Sequence, residues 1–173
     1  AIDQQGPINY CKPSIIQNNG YIYISGRDYK FRPIVVVNAY QLNPAAVDDY
    51  FRATVFANEY IIENMFLPGQ VESWNTIYDL GSIGLTDIPM SGIKKVASDL
   101  SANYSGRLAK MFIVNAPTSV SILWKVASGF LSDVTKDKIK LDEKADITKY
   151  NICDKNQVEV KYGGTQPNIT QFW

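Results

Sequence analysis

The 173-residue sequence contains no histidine. Histidine is a frequent general base and metal ligand, so its absence excludes Ser-His-Asp and Cys-His catalysis and histidine-based metal centres. The sequence also lacks a dinucleotide-binding glycine fingerprint, a P-loop and a calcium-binding loop. Ser91 and Lys94 have the S-x-x-K spacing of some serine acylases, but they begin an amphipathic helical pattern and are predicted to lie on the surface. We therefore expect a protein without catalytic residues, metal ions or cofactors.

Cysteine is scarce as well, with Cys11 and Cys153 far apart in the chain. Two cysteines in a domain of this size do not form a disulfide framework, and we expect both to be reduced, partly buried thiols. The sequence has no run approaching the ~18 consecutive apolar residues of a membrane-spanning helix. Its first residues lack the basic region and apolar core of a signal peptide. Together these absences favour a single domain in the cytoplasm.

The chain has no excess charge of either sign, since 17 basic side chains balance 17 acidic ones. A neutral chain is not expected to bind nucleic acid, which requires a basic surface. The two parts of the chain differ, because residues 1–93 carry a net charge of −4 and residues 94–173 one of +4. The late lysines are Lys136, Lys138, Lys140, Lys144, Lys149, Lys155 and Lys161. Two interpretations remain open, a solvated mixed surface and a face that meets anionic lipid headgroups.

Apolar runs separated by helical patterns predict an α/β fold. Residues 21–25 alternate, a turn follows at Gly26, and residues 34–37 form a continuous apolar run, which predicts a β-hairpin with a buried second strand. Two more buried strands are predicted over residues 74–80 and 111–114, with amphipathic helices before each. The alternating order predicts a parallel sheet with right-handed crossovers.

The segment after Pro117 has an unusual pattern. The run SVSILWKVASGFL is apolar around most of its helical circumference. Such a helix is either deeply buried or faces an apolar medium that is not protein. Ser128-Gly129 marks a point where the helix could bend. The residues alone leave both a core helix and a lipid-facing lid open.

Several segments of the chain, in order, resemble one known family. They are VESWNTIYDLGSIGLTDIP, NYSGRLAKMFIVNAP, SILWKVASGFLSDVTKDKIKL and VEVKYGG, preceded by the hairpin GYIYISGRDYKFRPIVVV. Each is similar to a segment of the CRAL-TRIO lipid-binding domain. The resemblance covers residues 20–165, which leaves residues 1–19 as an N-terminal lead and residues 166–173 as a C-terminal tail.

The resemblance implies a three-layer α/β fold in which a mostly parallel sheet is the floor of a hydrophobic pocket and a helical gate covers it. The gate would extend from Pro117 to Leu131 and on to about Leu141. The implied chemistry is sequestration and exchange of lipid, not catalysis. The predicted pocket residues are Thr76, Tyr78, Phe112 and Val114 on the floor and Ile122, Leu123, Val126 and Phe130 on the gate.

The resemblance also implies a headgroup site. In the phosphatidylinositol-exchange branch of the family, an arginine, a threonine and a lysine engage the inositol phosphate. These positions are matched here by Arg107, Thr135 and Lys138. The family glutamate is replaced by Gly106, and a floor serine is replaced by Trp74. The changes put phosphatidylinositol in doubt and leave another phospholipid or apolar molecule open.

Two functions follow as hypotheses. The first is a cytoplasmic domain, peripherally associated with membranes, that binds a phospholipid or other hydrophobic molecule and exchanges it with a transient membrane surface. The alternative is a non-catalytic interaction module with a filled pocket, which docks on a protein partner in a larger assembly. For the alternative, Trp74 would fill the pocket, and the tail from Asn168 to Trp173 would be a docking strand.

Overall fold

A five-stranded sheet forms the centre of the molecule, in the order β1-β2-β3-β4-β5. β1 pairs antiparallel with β2, and β2 to β5 are parallel to one another. The computed structural model describes residues 6, 11, 20–42, 46–81, 83, 98–117, 120, 124–125, 128–129 and 131–172. The strands are β1 (Ile22–Arg27), β2 (Pro33–Asn38), β3 (Trp74–Asp79), β4 (Leu108–Val114) and β5 (Ile139–Leu141). The predicted hairpin, the three predicted core strands and the parallel sheet are confirmed, but β4 is buried on one face only, where Phe112 and Val114 lie.

The hairpin turn is held together by the carboxylate of Asp28. One of its oxygens accepts the backbone N–H groups of Lys30 and Arg32, each at 2.9 Å. The other accepts Nε of Arg32 at 2.6 Å and the amide of Asn75 on β3 at 2.8 Å. Burial alone would raise the pKa of Asp28, but the hydrogen bonds from Asn75 and Arg32 and the charge of Arg32 outweigh it and hold the pKa below its usual range. The ionised carboxylate thus ties the turn to the sheet.

This arrangement predicts a pH-dependent stability. The pKa of Asp28 is lower in the folded chain than in the unfolded chain. Its ionised form therefore stabilises the fold above the ordinary aspartate pKa of about 4. This contribution to stability is lost as the pH falls through the pKa of the folded state. In the Asp28→Asn variant we expect the free energy of unfolding to decline less steeply below about pH 4. Denaturant titrations at several pH values measure this slope. Asp48→Asn, at an exposed position, is the matched control, and an equal change of slope in both variants would contradict the assignment.

One face of the sheet packs against a long helix, α1 (Val47–Asn64). Strand side chains alternate between faces, and this α1 face carries Val35 and Val37 of β2 and Trp74 of β3. The helix buries Ala53, Phe56, Ala57 and Ile61 against them. Its main packing partner among the strands is β1, at one side of the sheet. The second predicted helix is represented by helical residues 98–103.

The opposite face is covered by the C-terminal part of the chain, which the sequence did not predict as a layer. Here Ile77, Phe112 and Val114 pack with Ile147 and Tyr162. The covering segment contains the 3-10 helices Thr148–Tyr150, Lys155–Gln157 and Val160–Tyr162. Short helix α2 (Asp133–Asp137) precedes β5. Helical layer, sheet and C-terminal layer make the predicted three-layer α/β architecture.

The C-terminal tail packs on this same layer. Buried Glu159 accepts the hydroxyl of Tyr23 at 2.8 Å and the backbone N–H of Ile169 at 2.9 Å. The ring of Phe172 lies 5.2 Å from that of Tyr23 and occupies the space that a side chain at Gly20 would need. The prediction of a docking strand is therefore wrong for Phe172, because its ring packs against Tyr23 and Gly20 of the same chain. Trp173 lies outside the described residues.

Both cysteines are free, and both are buried more fully than the partly buried thiols that the sequence predicts. They lie on opposite sides of the sheet, with Cys11 in the core beneath α1 and Cys153 in the C-terminal layer. Within the described ranges, no helix combines the length and apolar character needed to cross a membrane. The same residues contain no cluster of acidic or cysteine side chains that could hold a metal ion.

Candidate ligand-binding site

The α1 face continues beyond the helix onto β3, β4 and β5. The register pairs Thr76 with Met111 and Tyr78 with Ile113, and then Met111 with Ile139 and Ile113 with Leu141. Paired residues of neighbouring strands share a face, so these side chains form one continuous surface. We call it the β3–β5 floor, and its members are Thr76, Tyr78, Met111, Ile113, Ile139 and Leu141.

The floor differs from the rest of the sheet in its burial. Thr76 is buried, whereas the five other floor residues are only half-buried. On the opposite face of the same strands, Ile77, Phe112 and Val114 are almost completely buried. Apolar side chains in the middle strands of a sheet are normally covered by a second layer. The half-buried apolar floor is therefore a surface that a hydrophobic molecule could cover.

Two hydroxyl groups interrupt this apolar surface. Burial raises the pKa of the Tyr78 phenol to about 12, so the group is neutral and can both donate and accept. Among the described residues, neither Tyr78 nor Thr76 has a hydrogen-bond partner for its hydroxyl. The two residues are separated by one position on β3 and face the same way. Together they can bind a polar atom of an otherwise apolar ligand.

The four predicted floor residues lie on two different faces of the sheet. Thr76 and Tyr78 lie on the β3–β5 floor, but Phe112 pairs with Ile77 and Val114 pairs with Asp79 on the opposite face. The ring of Phe112 lies 4.9 Å from the ring of Tyr150 in the C-terminal layer. A single pocket cannot include residues from both faces of one sheet, so Phe112 and Val114 are corrected to core residues.

Met111 and Ile113 take their place on the floor, one position earlier along β4 in each case. The sequence did not predict these two floor residues, because residues 111–114 are all apolar and no polar position shows which side chains face the floor. The four predicted gate residues, Ile122, Leu123, Val126 and Phe130, lie outside the described residues, and their role stays a prediction.

The three predicted headgroup residues lie at one edge of the sheet, in the segments that lead into β4 and β5. The ammonium of Lys138 donates to the carbonyl of Leu108 at 2.8 Å. The guanidinium of Arg107, the residue before Leu108, donates to the backbone carbonyl of Glu72 at 3.1 Å, and its Nη1 lies 3.6 Å from the carboxylate of Glu72. Its Cζ lies 5.5 Å from the centre of the Phe66 ring. Thr135 lies on α2, where its hydroxyl is 2.9 Å from that of Ser132. Each cation keeps donors beyond these contacts, since an ammonium has three and a guanidinium five.

The two departures from the family pattern have clear structural consequences. Gly106 adopts a φ of +78°, which favours glycine, and an added Cβ would meet nothing within 4 Å. This position therefore supplies no carboxylate beside Arg107. Trp74 is only 6% exposed, and its ring lies 5.9 Å from that of Phe66 and 6.1 Å from that of Tyr104. The tryptophan is part of an aromatic cluster at the start of β3, at the position where the resemblance implies a serine.

Comparison with known proteins places these features in context. The family model for the CRAL/TRIO domain matches residues 17–164. A CRAL-TRIO domain-containing protein of Schizosaccharomyces pombe is 26% identical over 91% of this chain and 16% of that protein. The phosphatidylinositol/phosphatidylcholine transfer protein SFH4 of Arabidopsis thaliana is 30% identical over 55% of this chain and 16% of its own length. The chain thus spans about a sixth of the length of these curated relatives.

A solved structure shows the same fold. The crystal structure of Sfh5 superimposes with a TM-score of 0.79 at 14% sequence identity, and the match covers 98% of this chain and 64% of that one. At this identity the likeness concerns the arrangement of helices and strands.

Proposed function

The chain belongs to the CRAL/TRIO domain family, and from this premise we propose that it binds a phospholipid on the β3–β5 floor and exchanges it with membranes. Members of this family are generally lipid-binding and lipid-transfer proteins. The proposal concerns binding without catalysis, and it places the protein in the cytoplasm with peripheral, transient membrane contact.

The observation that carries the proposal is the half-buried apolar floor, whose two hydroxyls have no hydrogen-bond partner in the part of the chain that the structure describes. Each acyl methylene removed from water contributes about 0.8 kcal/mol of favourable free energy. A floor made of Met111, Ile113, Ile139 and Leu141 offers acyl chains an environment similar to the bilayer interior. Transfer between bilayer and protein is then nearly neutral in free energy, so the protein needs only to lower the barrier between them.

The headgroup region supports a phospholipid without selective inositol contacts. Lys138 and Arg107 lie at the same edge as the beginnings of β4 and β5, and charge-assisted hydrogen bonds to phosphate are among the stronger ones. No carboxylate stands at Gly106 to accept inositol hydroxyls. We therefore propose that the phosphate, and not the headgroup alcohol, is the main polar contact.

The alternative function, an interaction module with a filled pocket, is favoured by one observation. Trp74 is packed between Phe66 and Tyr104 and occupies the position of a small floor residue. This aromatic cluster lies at the start of β3 and leaves Tyr78, four residues further on, half-buried. A module that docks only through protein would bind no lipid on the floor.

Native mass spectrometry after incubation with a total lipid extract tests the proposal. We expect a one-to-one adduct with the mass of a phospholipid. Loss of one neutral hydrogen bond in the Tyr78→Phe variant should weaken lipid binding about threefold to tenfold. Tyr150→Phe makes the same chemical change on the opposite face and should leave binding unchanged. A protein that stays free of lipid after thorough exposure would favour the interaction module instead.

A further inference from the structure

Four exposed apolar side chains gather at one edge of the sheet. Because β2 to β5 are parallel, they all begin at this edge, and antiparallel β1 ends there. We call it the strand-start edge; it consists of residues 27–32, 65–73, 104–107 and 132–138. Six large hydrophobic side chains are exposed in the described part of the chain, and four lie at this edge: Tyr29, Phe31, Leu67 and Val134.

The most unusual of them is Phe31, at the tip of the hairpin. The residue is 68% exposed, and its backbone has a φ of +60°, a value that residues other than glycine rarely adopt. The turn holds this conformation firmly, since Phe31 donates its N–H to the carbonyl of Asp28 at 2.8 Å and accepts from Arg27 at 2.6 Å. A strained backbone that presents a phenyl ring to solvent points to a contact outside the chain.

Leu67 lies beside this tip. The guanidinium of Arg27 donates to the carbonyl of Phe31 and also reaches the carbonyl of Met65 at 3.5 Å. A tight turn closed between Leu67 and Val71 follows and leaves Leu67 52% exposed. Phe31 and Leu67 thus project from adjacent turns, each closed by backbone hydrogen bonds.

The charges around these side chains are complementary to an anionic surface. The strand-start edge contains six basic and four acidic residues. Asp28, Asp133 and Glu72 are engaged by Arg32, Lys136 and Arg107. Lys30 is exposed between Tyr29 and Phe31 and has no acidic partner among the described residues. The neighbouring segment that meets the Tyr29 hydroxyl adds one acid, Asp154, and one base, Lys155.

We propose that the strand-start edge docks on the surface of an anionic membrane. Phe31 and Leu67 enter the interface between headgroups and acyl chains, and Lys30 contacts the anionic headgroups. This docking proposal rests on the proposed function, in which Arg107 and Lys138 at the same edge contact the phosphate of the bound lipid. A phospholipid whose phosphate meets these cations would pass between the bilayer and the β3–β5 floor on the docked side.

Vesicle flotation tests the proposal with a substitution that spares the fold. Glycine adopts a positive φ without strain, so Phe31→Gly should be at least as stable as the wild type. The double variant Phe31→Gly, Leu67→Ala is expected to bind vesicles of phosphatidylcholine and phosphatidylserine at least about tenfold more weakly. Lys30→Glu should reduce binding severalfold on these vesicles and little on vesicles of phosphatidylcholine alone. The control Val160→Ala removes an exposed side chain from another surface and should bind as the wild type does.

The outcomes separate docking from ligand binding. Vesicle binding that is unchanged in the double variant, or is equally weak in Val160→Ala, would overturn the docking proposal. A wild-type protein that does not bind anionic vesicles would also overturn it, even if that protein binds protein partners. Native mass spectrometry of the same samples reports the lipid adduct separately. Vesicle binding that depends on Phe31 in a protein without any lipid adduct would overturn the proposed function and leave docking intact.

Discussion

Replacing Phe112 by alanine is expected to lower the free energy of unfolding by about 3–5 kcal/mol. The side chain is completely buried between the sheet and the C-terminal layer, against Ile77 and the ring of Tyr150. Its removal forfeits the transfer free energy of the ring and leaves a cavity that its neighbours fill only in part. A loss of this size is a large fraction of the ~5–15 kcal/mol that stabilises a typical domain. Chemical denaturation followed by tryptophan fluorescence measures it.

The control for this prediction is the preceding residue, Met111. It lies on the same strand but faces the β3–β5 floor and is half-buried. Met111→Ala should therefore cost no more than about 2 kcal/mol of stability, below the usual range for a buried methionine. The folded fraction of Phe112→Ala should still bind lipid. Equal losses of stability in the two variants would show that the assignment of the two faces is wrong.

The second large effect is expected for Met111→Asp. A carboxylate on the floor can reach water while the site is empty, but a bound acyl chain would bury it without a partner. We expect lipid affinity to fall at least about a hundredfold, equivalent to about 3 kcal/mol or more. Titration with a fluorescent phospholipid measures this loss.

A matched substitution guards against a general effect of added negative charge. Val160→Asp places the same group at an exposed position in the C-terminal layer, away from the floor. Its lipid affinity should equal that of the wild type. A floor variant that retains full affinity, while it remains folded, would show that lipid binds elsewhere or not at all.

The sheet was largely predictable from the sequence, and the C-terminal layer was not. Apolar runs identify β2, β3 and β4, because the strands of a parallel sheet are largely apolar on both faces. β5 is a three-residue strand with a lysine at its centre, too short to show a pattern. The 3-10 helices that follow have no periodic apolar signal, and tertiary contacts such as those of Glu159 hold them in place.

The site was predictable in part for a related reason. Thr76 and Tyr78 are two positions apart on one strand and must share a face. The direction in which β4 side chains point depends on its register with β3, which pairs Tyr78 with Ile113. The pairing of Arg107 with Glu72 joins residues 35 positions apart in sequence, and only the folded chain brings them together.

Photo-crosslinking can show whether lipid binds on the β3–β5 floor. The protein is loaded with a phospholipid that carries a diazirine on its acyl chain, irradiated and digested with trypsin. Cleavage after Lys110 releases a peptide of residues 111–125, in which fragment ions separate neighbouring residues of β4. Binding on the floor predicts crosslinks at Met111 and Ile113. Crosslinks at Phe112 and Val114, or only at residues outside the floor, would contradict it.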